Sequence, residues 1–160
     1  MAREPICRHI SDVERVACSC GWSRRLLTAA DEVVMGLHVT ELHDARAHFH
    51  ERTTEIYYVL EGRGRLVVSG SAWDAEPGTV AYLPPGCVHR ADGDLTAVIA
   101  VLPPFDPSDE FRPSNRLPRP CEKPIVRHVD EVTLVRSACG ESRRVLTRDD
   151  GIVMGLHLVR

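Results

Sequence analysis

The sequence predicts an all-β protein, and three observations carry that reading. Its β-branched and aromatic runs are short, such as IYYVL from Ile56. Turn signals punctuate them about every eight to twelve residues, which is the rhythm of a sandwich or barrel. In the first forty residues no apolar period of 3.6 holds for long, because Gly21 and Gly36 interrupt it.

The elements follow in order. Val33 to Leu42 is a strand, with Gly36 as a bulge or a point of close packing. A strand ends near Ala47, and IYYVL opens the next. Gly62-Arg63-Gly64 reads as a turn, and Ser69-Gly70-Ser71 as a tight hairpin that returns through Trp73. Glu76-Pro77-Gly78 turns into the strand Thr79 to Leu83, which Pro84-Pro85 stops. Leu95 to Leu102 is the last apolar strand before Pro103-Pro104. Residues 1–104 thus form one barrel with its N-terminal strands. Residues 105–123 read as a proline-rich linker, extended where proline is dense, with room for a short helix from Ser108 to Phe111 capped by Ser108.

Residues 124–160 repeat residues 5–41. PICRHISDVERVACSCGWSRRLLTAADEVVMGLHV, from Pro5, returns without a gap from Pro124 and is identical at roughly half of its positions. Matched pairs include Cys20 with Cys139, Arg25 with Arg144 and His38 with His157. About thirty-five residues cannot enclose a core, so the second copy needs a docking surface on its own barrel or a partner's. A homodimer through sheet edges and this repeat is the simpler expectation. His38 and His157 recur because the segment recurs, and packing or a hydrogen bond explains both.

A net charge of −3 and a pI near 6.2 give no reason to expect nucleic acid or an anionic membrane as partner. The longest apolar run, Ala97 to Leu102, is far shorter than a membrane span. The N-terminus lacks an apolar leader core, so a cytoplasmic protein is expected. Its six cysteines are then expected as reduced thiols.

The chemistry concentrates at Ala47 to Gly62. His48 and His50 stand two apart, so on a strand they share a face. Glu55 can join them only if the chain bends at Glu51 to Thr54. With His89 the set offers three imidazoles and one carboxylate, suited to one divalent Fe, Mn, Ni, Cu or Zn ion. The bland alternative is surface or packing histidines.

The spacing H-x-H-x4-E-x6-G from His48 to Gly62, followed by Gly78, Pro84, Gly86 and His89, resembles the two motifs of the cupin superfamily. Gly93 stands where the family usually has Asn. The resemblance covers about Val33 to Pro104. It implies a double-stranded β-helix (jelly-roll) barrel and a metal held by His48, His50, Glu55 and His89, to which the repeat adds a short β-rich C-terminal appendage. It further implies a small-molecule substrate or ligand, with a dioxygenase-type oxidoreductase as the leading reading. A redox-neutral isomerase, lyase or cyclase and a non-catalytic binding module are the alternatives. Strand parity makes Tyr57 a pocket candidate, Tyr82 could reach the mouth, and Arg46 shares the face of His48 and could hold a substrate carboxylate. The second copy reaches Arg160 without a second metal motif, so one site is expected in this stretch.

Overall fold

The computed structural model describes residues 4–160; Met1 to Arg3, part of the N-terminal stretch weighed as a leader, lie outside them. Its framework is one curled antiparallel sheet in the order β1 (Arg15–Cys18), β2 (Gly21–Leu27), β3 (Gly36–His43), β8 (His89–Leu102), β5 (Thr54–Val68), β7 (Thr79–Leu83) and β10 (Ile125–His128), with β6 (Ser71–Ala75) paired to β5. The short strand β4 (Phe49–His50) pairs with β9 (Glu110–Phe111). A separate three-stranded sheet joins β11 (Leu134–Ser137), β12 (Gly140–Leu146) and β13 (Leu156–Val159). This is the all-β jelly-roll barrel that the motifs imply.

Alternation sets the inside. On β5 the side chains of Glu55, Tyr57 and Val59 face the barrel, as parity requires, and pack with Ala81, Leu83, Ala97, Ile99 and Val101. Ile56, Val80 and Tyr82 lie on the opposite face. That outer face is also buried, because Val145, Leu146 and Met154 of the second copy cover it. β10 extends the main sheet by pairing with β7, Ile125 opposite Tyr82. The second copy therefore lies on its own barrel in this chain.

Two local expectations need correction. Gly62-Arg63-Gly64 is no turn: β5 runs through it and pairs with β8, Gly64 opposite Gly93. Two glycines meet where the strands bend closely together, and a Cβ at Gly62 would strike the Asp94 carbonyl. The turn proper is Ser69-Gly70, where both residues have positive φ (49° and 88°), as a two-residue hairpin loop demands. The short helical turn after the barrel is Pro107–Asp109, capped by the Asp106 carboxylate on the Ser108 amide and not by Ser108. Proline at the first position suits the helix start.

The third correction concerns the thiols. Cys87 and Cys121 form a disulfide, with Cα atoms 4.5 Å apart, while Cys7, Cys18, Cys20 and Cys139 are free. Sequence separation of 34 residues hid the pair; it exists because the segment after Arg119 folds back over Gly86. No helix among the described residues is long and apolar enough to cross a membrane.

Candidate metal centre

His48, His50 and His89 are brought together by backbone hydrogen bonds. The His48 amide donates to the His89 carbonyl (3.1 Å), the His89 amide returns to the His48 carbonyl (2.9 Å), and Gly86 donates to the His50 carbonyl (2.7 Å). The segment before β5 thereby runs antiparallel to the start of β8. Glu55 enters from β5, which is fixed between Leu83 of β7 and Val101 of β8. All four side chains are buried.

One ligand atom from each of the four lies within 4.8 Å of the other three. Opposed ligands of an ion bound at about 2.1 Å stand about 4.2 Å apart, so the group is the size of one ion's shell. Each imidazole is also held by its other nitrogen. Nδ1 of His48 donates to the Arg46 carbonyl (2.8 Å), that of His50 to the Asp109 carbonyl (3.0 Å), and that of His89 to the Cys87 carbonyl (2.9 Å). Three Nδ1–H donors leave three Nε2 lone pairs facing inward, the tautomer that metal ligation needs.

The charges agree. Burial, and then the neighbouring His89, push the His48 imidazole down to about 3, so it is neutral at pH 7. Burial alone would raise the Glu55 carboxyl, but His50 and His89 outweigh it and hold it at about 2. His89 behaves oppositely: burial lowers its affinity for a proton, yet the Glu55 carboxylate 3.0 Å away more than restores it. His50 Nε2 lies 3.6 Å from Glu55. Glu55 Oε2 and His50 Nε2 nonetheless have no aligned hydrogen-bond partner, although both are buried. Buried orphans of this kind cost about 1–3 kcal/mol each, and a divalent ion would satisfy both. The donor set fits a metal.

Asp109 is the residue that sequence reasoning missed. It lies in the proline-rich segment, yet it is only 2% exposed. Its carboxylate accepts from the amides of Glu51, Arg52 and Thr53 (3.2, 3.2 and 3.0 Å) and from the Thr53 hydroxyl (2.8 Å). These are the residues that must bend for Glu55 to meet the histidines. Burial would raise the Asp109 carboxyl, but the hydrogen bonds from Thr53, Arg52 and Glu51 pull it below its usual range. One residue thus clamps the bend with its carboxylate and orients His50 with its carbonyl.

Of the three pocket candidates, Tyr57 lines the cavity, with its hydroxyl 3.5 Å from His89 Nε2. Burial, then the Glu55 charge, raise this phenol well above its ordinary value, so it stays protonated. Tyr82 points to the opposite face of β7, under the second copy. Arg46 is exposed and offers the site only its carbonyl; the backbone from Asp44 to Ala47 is irregular, so strand parity does not apply to it.

The hairpin between β1 and β2 closes one side of the cavity with Cys18 and Cys20. Cys20 Sγ lies 3.9 Å from His48 Nε2. The Cys18 thiol is pulled down to about 6, first by its hydrogen bond with Cys20, whereas that same bond and burial keep the Cys20 thiol protonated. β2 and β3 add Arg25, His38 and Thr40, and Phe105 follows β8. His38 is buried and lines the cavity, and its Nε2 has no hydrogen-bond partner among the described residues. The signal for it was present in the sequence: His38 and Thr40 are polar at the inward positions of β3, alternating with half-buried neighbours.

Comparison with known proteins agrees with this architecture. The cupin domain family matches residues 35–102. A crystal structure of a protein from Planctomyces limnophilus superposes with a TM-score of 0.65 at 32% identity, covering 68% of this chain and 96% of that one. The chain belongs to the cupin superfamily. Quercetin 2,3-dioxygenase of Bacillus subtilis is 36% identical over 64 residues, 38% of this chain and 19% of that enzyme. Glucose-6-phosphate isomerase of Pyrococcus furiosus is 32% identical over 75 residues, 41% of this chain and 40% of the relative. The chain spans about half or less of the length of the curated relatives it matches.

Proposed function

We propose that this chain is a mononuclear metal-dependent cupin enzyme of the dioxygenase type, acting on a small molecule. One observation supports the metal reading above the others: three imidazoles, each fixed through Nδ1 to a backbone carbonyl, turn Nε2 toward an ionised, buried carboxylate. Held by His48, His50, Glu55 and His89, an Fe, Mn, Ni, Cu or Zn ion would supply a Lewis acid with open positions. Around it, the protonated Tyr57 hydroxyl can donate a hydrogen bond to a bound ligand. Ile99 and Phe105 line the same cavity and limit water. The likeness to quercetin dioxygenase supports oxygen chemistry.

A redox-neutral reaction is the second reading, and the glucose-6-phosphate isomerase relatives favour it. Protein purified without oxygen and loaded in parallel with Fe(II), Mn(II) or Zn(II) separates them. Oxygen uptake coupled to substrate loss in the Fe(II) form supports the first. Turnover of the Zn(II) or Mn(II) form without oxygen consumption supports the second, and binding without turnover in every form overturns both. A homodimer through sheet edges belongs to the same proposal: among the described residues β13 pairs only with β12, and light scattering of the intact chain tests it.

A further inference from the structure

Four buried side-chain atoms lack a hydrogen-bond partner among the described residues: Glu55 Oε2, His50 Nε2, Arg25 Nε and His38 Nε2. All four belong to residues lining one cavity. A metal ion accounts for the first two. It does nothing for the other two, which sit on β2 and β3.

Arg25 and His38 are cross-strand neighbours. The Arg25 guanidinium lies 4.6 Å from the centre of the Phe105 ring, and His38 meets the same ring edge-on at 6.1 Å. Below them the Ser23 and Thr40 hydroxyls bond each other at 3.0 Å. Among the described residues no carboxylate forms an ion pair with Arg25. A guanidinium stacked on an aromatic face, with a buried Nε–H that no described residue pairs, is pre-organised for an external partner. His38 is 6% exposed, and burial, then Arg25, hold it at about 4, so it is neutral at pH 7 and can donate from Nε2 without adding charge.

We propose that Arg25 and His38 form a carboxylate-binding subsite, so that the small molecule taken by this pocket is a carboxylic acid. Its carboxylate lies on Arg25 and His38, and its remaining polar group faces the His48, His50, Glu55 and His89 centre. The far end of this ligand rests on the metal reading above; the subsite itself does not. A carboxylate fits better than a phosphate for two reasons. The planar fork matches it in two parallel hydrogen bonds, and one guanidinium balances one charge while Glu55 and Glu110 on the same cavity repel a second. The cavity is also small.

The test uses the intact chain, both zinc-loaded and metal-stripped, with pyruvate and its uncharged analogue pyruvamide as probes in ligand-observed NMR titrations. Wild type is expected to prefer pyruvate by about tenfold or more, the scale of one charge-assisted hydrogen bond. Arg25→Gln should abolish that preference, Arg25→Lys retain part of it, and Arg144→Gln, the matched exposed position of the second copy, leave it intact. Phe105→Leu, which keeps the charge but removes the stacking surface, should weaken pyruvate several-fold and serves if Arg25→Gln fails to fold. A folded Arg25→Gln protein that still prefers pyruvate overturns the subsite, as does a wild type without preference. An Arg25-dependent preference in a protein that retains no metal sinks the metal reading alone, and metal uptake with an Arg25-independent preference sinks the subsite alone.

Discussion

Residues 5–41 and 124–160 share a sequence and a local structure but use opposite faces. Each carries the same internal devices. Arg8 bonds the Leu26 carbonyl and Asp31 just as Arg127 bonds the Val145 carbonyl and Asp150. Thr28 with Asp31, and Thr147 with Asp150, form the same capping box. In the first copy β3 pairs with β8, which turns Cys20, Arg25 and His38 into the cavity and leaves Leu26 and Leu27 half-buried. In the second copy Val145 and Leu146 are fully buried on the outside of the barrel, while Cys139, Arg144 and His157 are exposed. Local sequence specifies the hairpin; what it pairs with decides which face carries function.

Matched substitutions break or sharpen this contrast. Val145→Asp places a charge against the outer face of the barrel and should cost about 3 kcal/mol or more in urea unfolding. An effect below 1 kcal/mol would mean that the second copy does not rest there. Leu146→Ala should cost about 2–5 kcal/mol, and its counterpart Leu27→Ala clearly less; equal losses would erase the difference between the copies.

Asp109→Asn tests the clamp over the bend between His50 and Glu55. Metal affinity should fall about 10–100-fold with the fold retained by circular dichroism. Because hydrogen bonding lowers the Asp109 carboxyl in the folded state, the wild type's stability margin over this variant is full above about pH 4. It should fade as pH falls through the lowered folded value, and a margin that persists in acid would contradict the assignment. The smallest effects belong to Arg46→Ala and Tyr82→Phe, which should leave metal affinity unchanged, since neither side chain reaches the cavity.

The four-residue centre was legible in the sequence because its ligands sit at spacings fixed by strand pleat and one bend. The pairing of Arg25 with His38 was not, since only the β2–β3 register places them side by side. Asp109 was hidden by composition: a run rich in proline and charge looks solvated, yet one carboxylate in it satisfies three amides and a hydroxyl. Tyr82 was misplaced by its nearness in sequence to the His89 turn, although it lies on the outer face of β7, and Arg46 by assuming a strand where the chain is irregular.

The central claim is that His48, His50, Glu55 and His89 hold one ion. Calorimetric titration of metal-stripped protein with Zn(II), in buffers of different ionisation enthalpy, tests it most directly. The Glu55 carboxylate raises the proton affinity of His89, so a metal ion must compete with a proton for that imidazole. The expected result is one ion per chain with proton release, affinity that rises with pH through the histidine range, and loss of the site in Glu55→Ala. Zinc uptake without proton release, or uptake that survives Glu55→Ala unchanged, would contradict it.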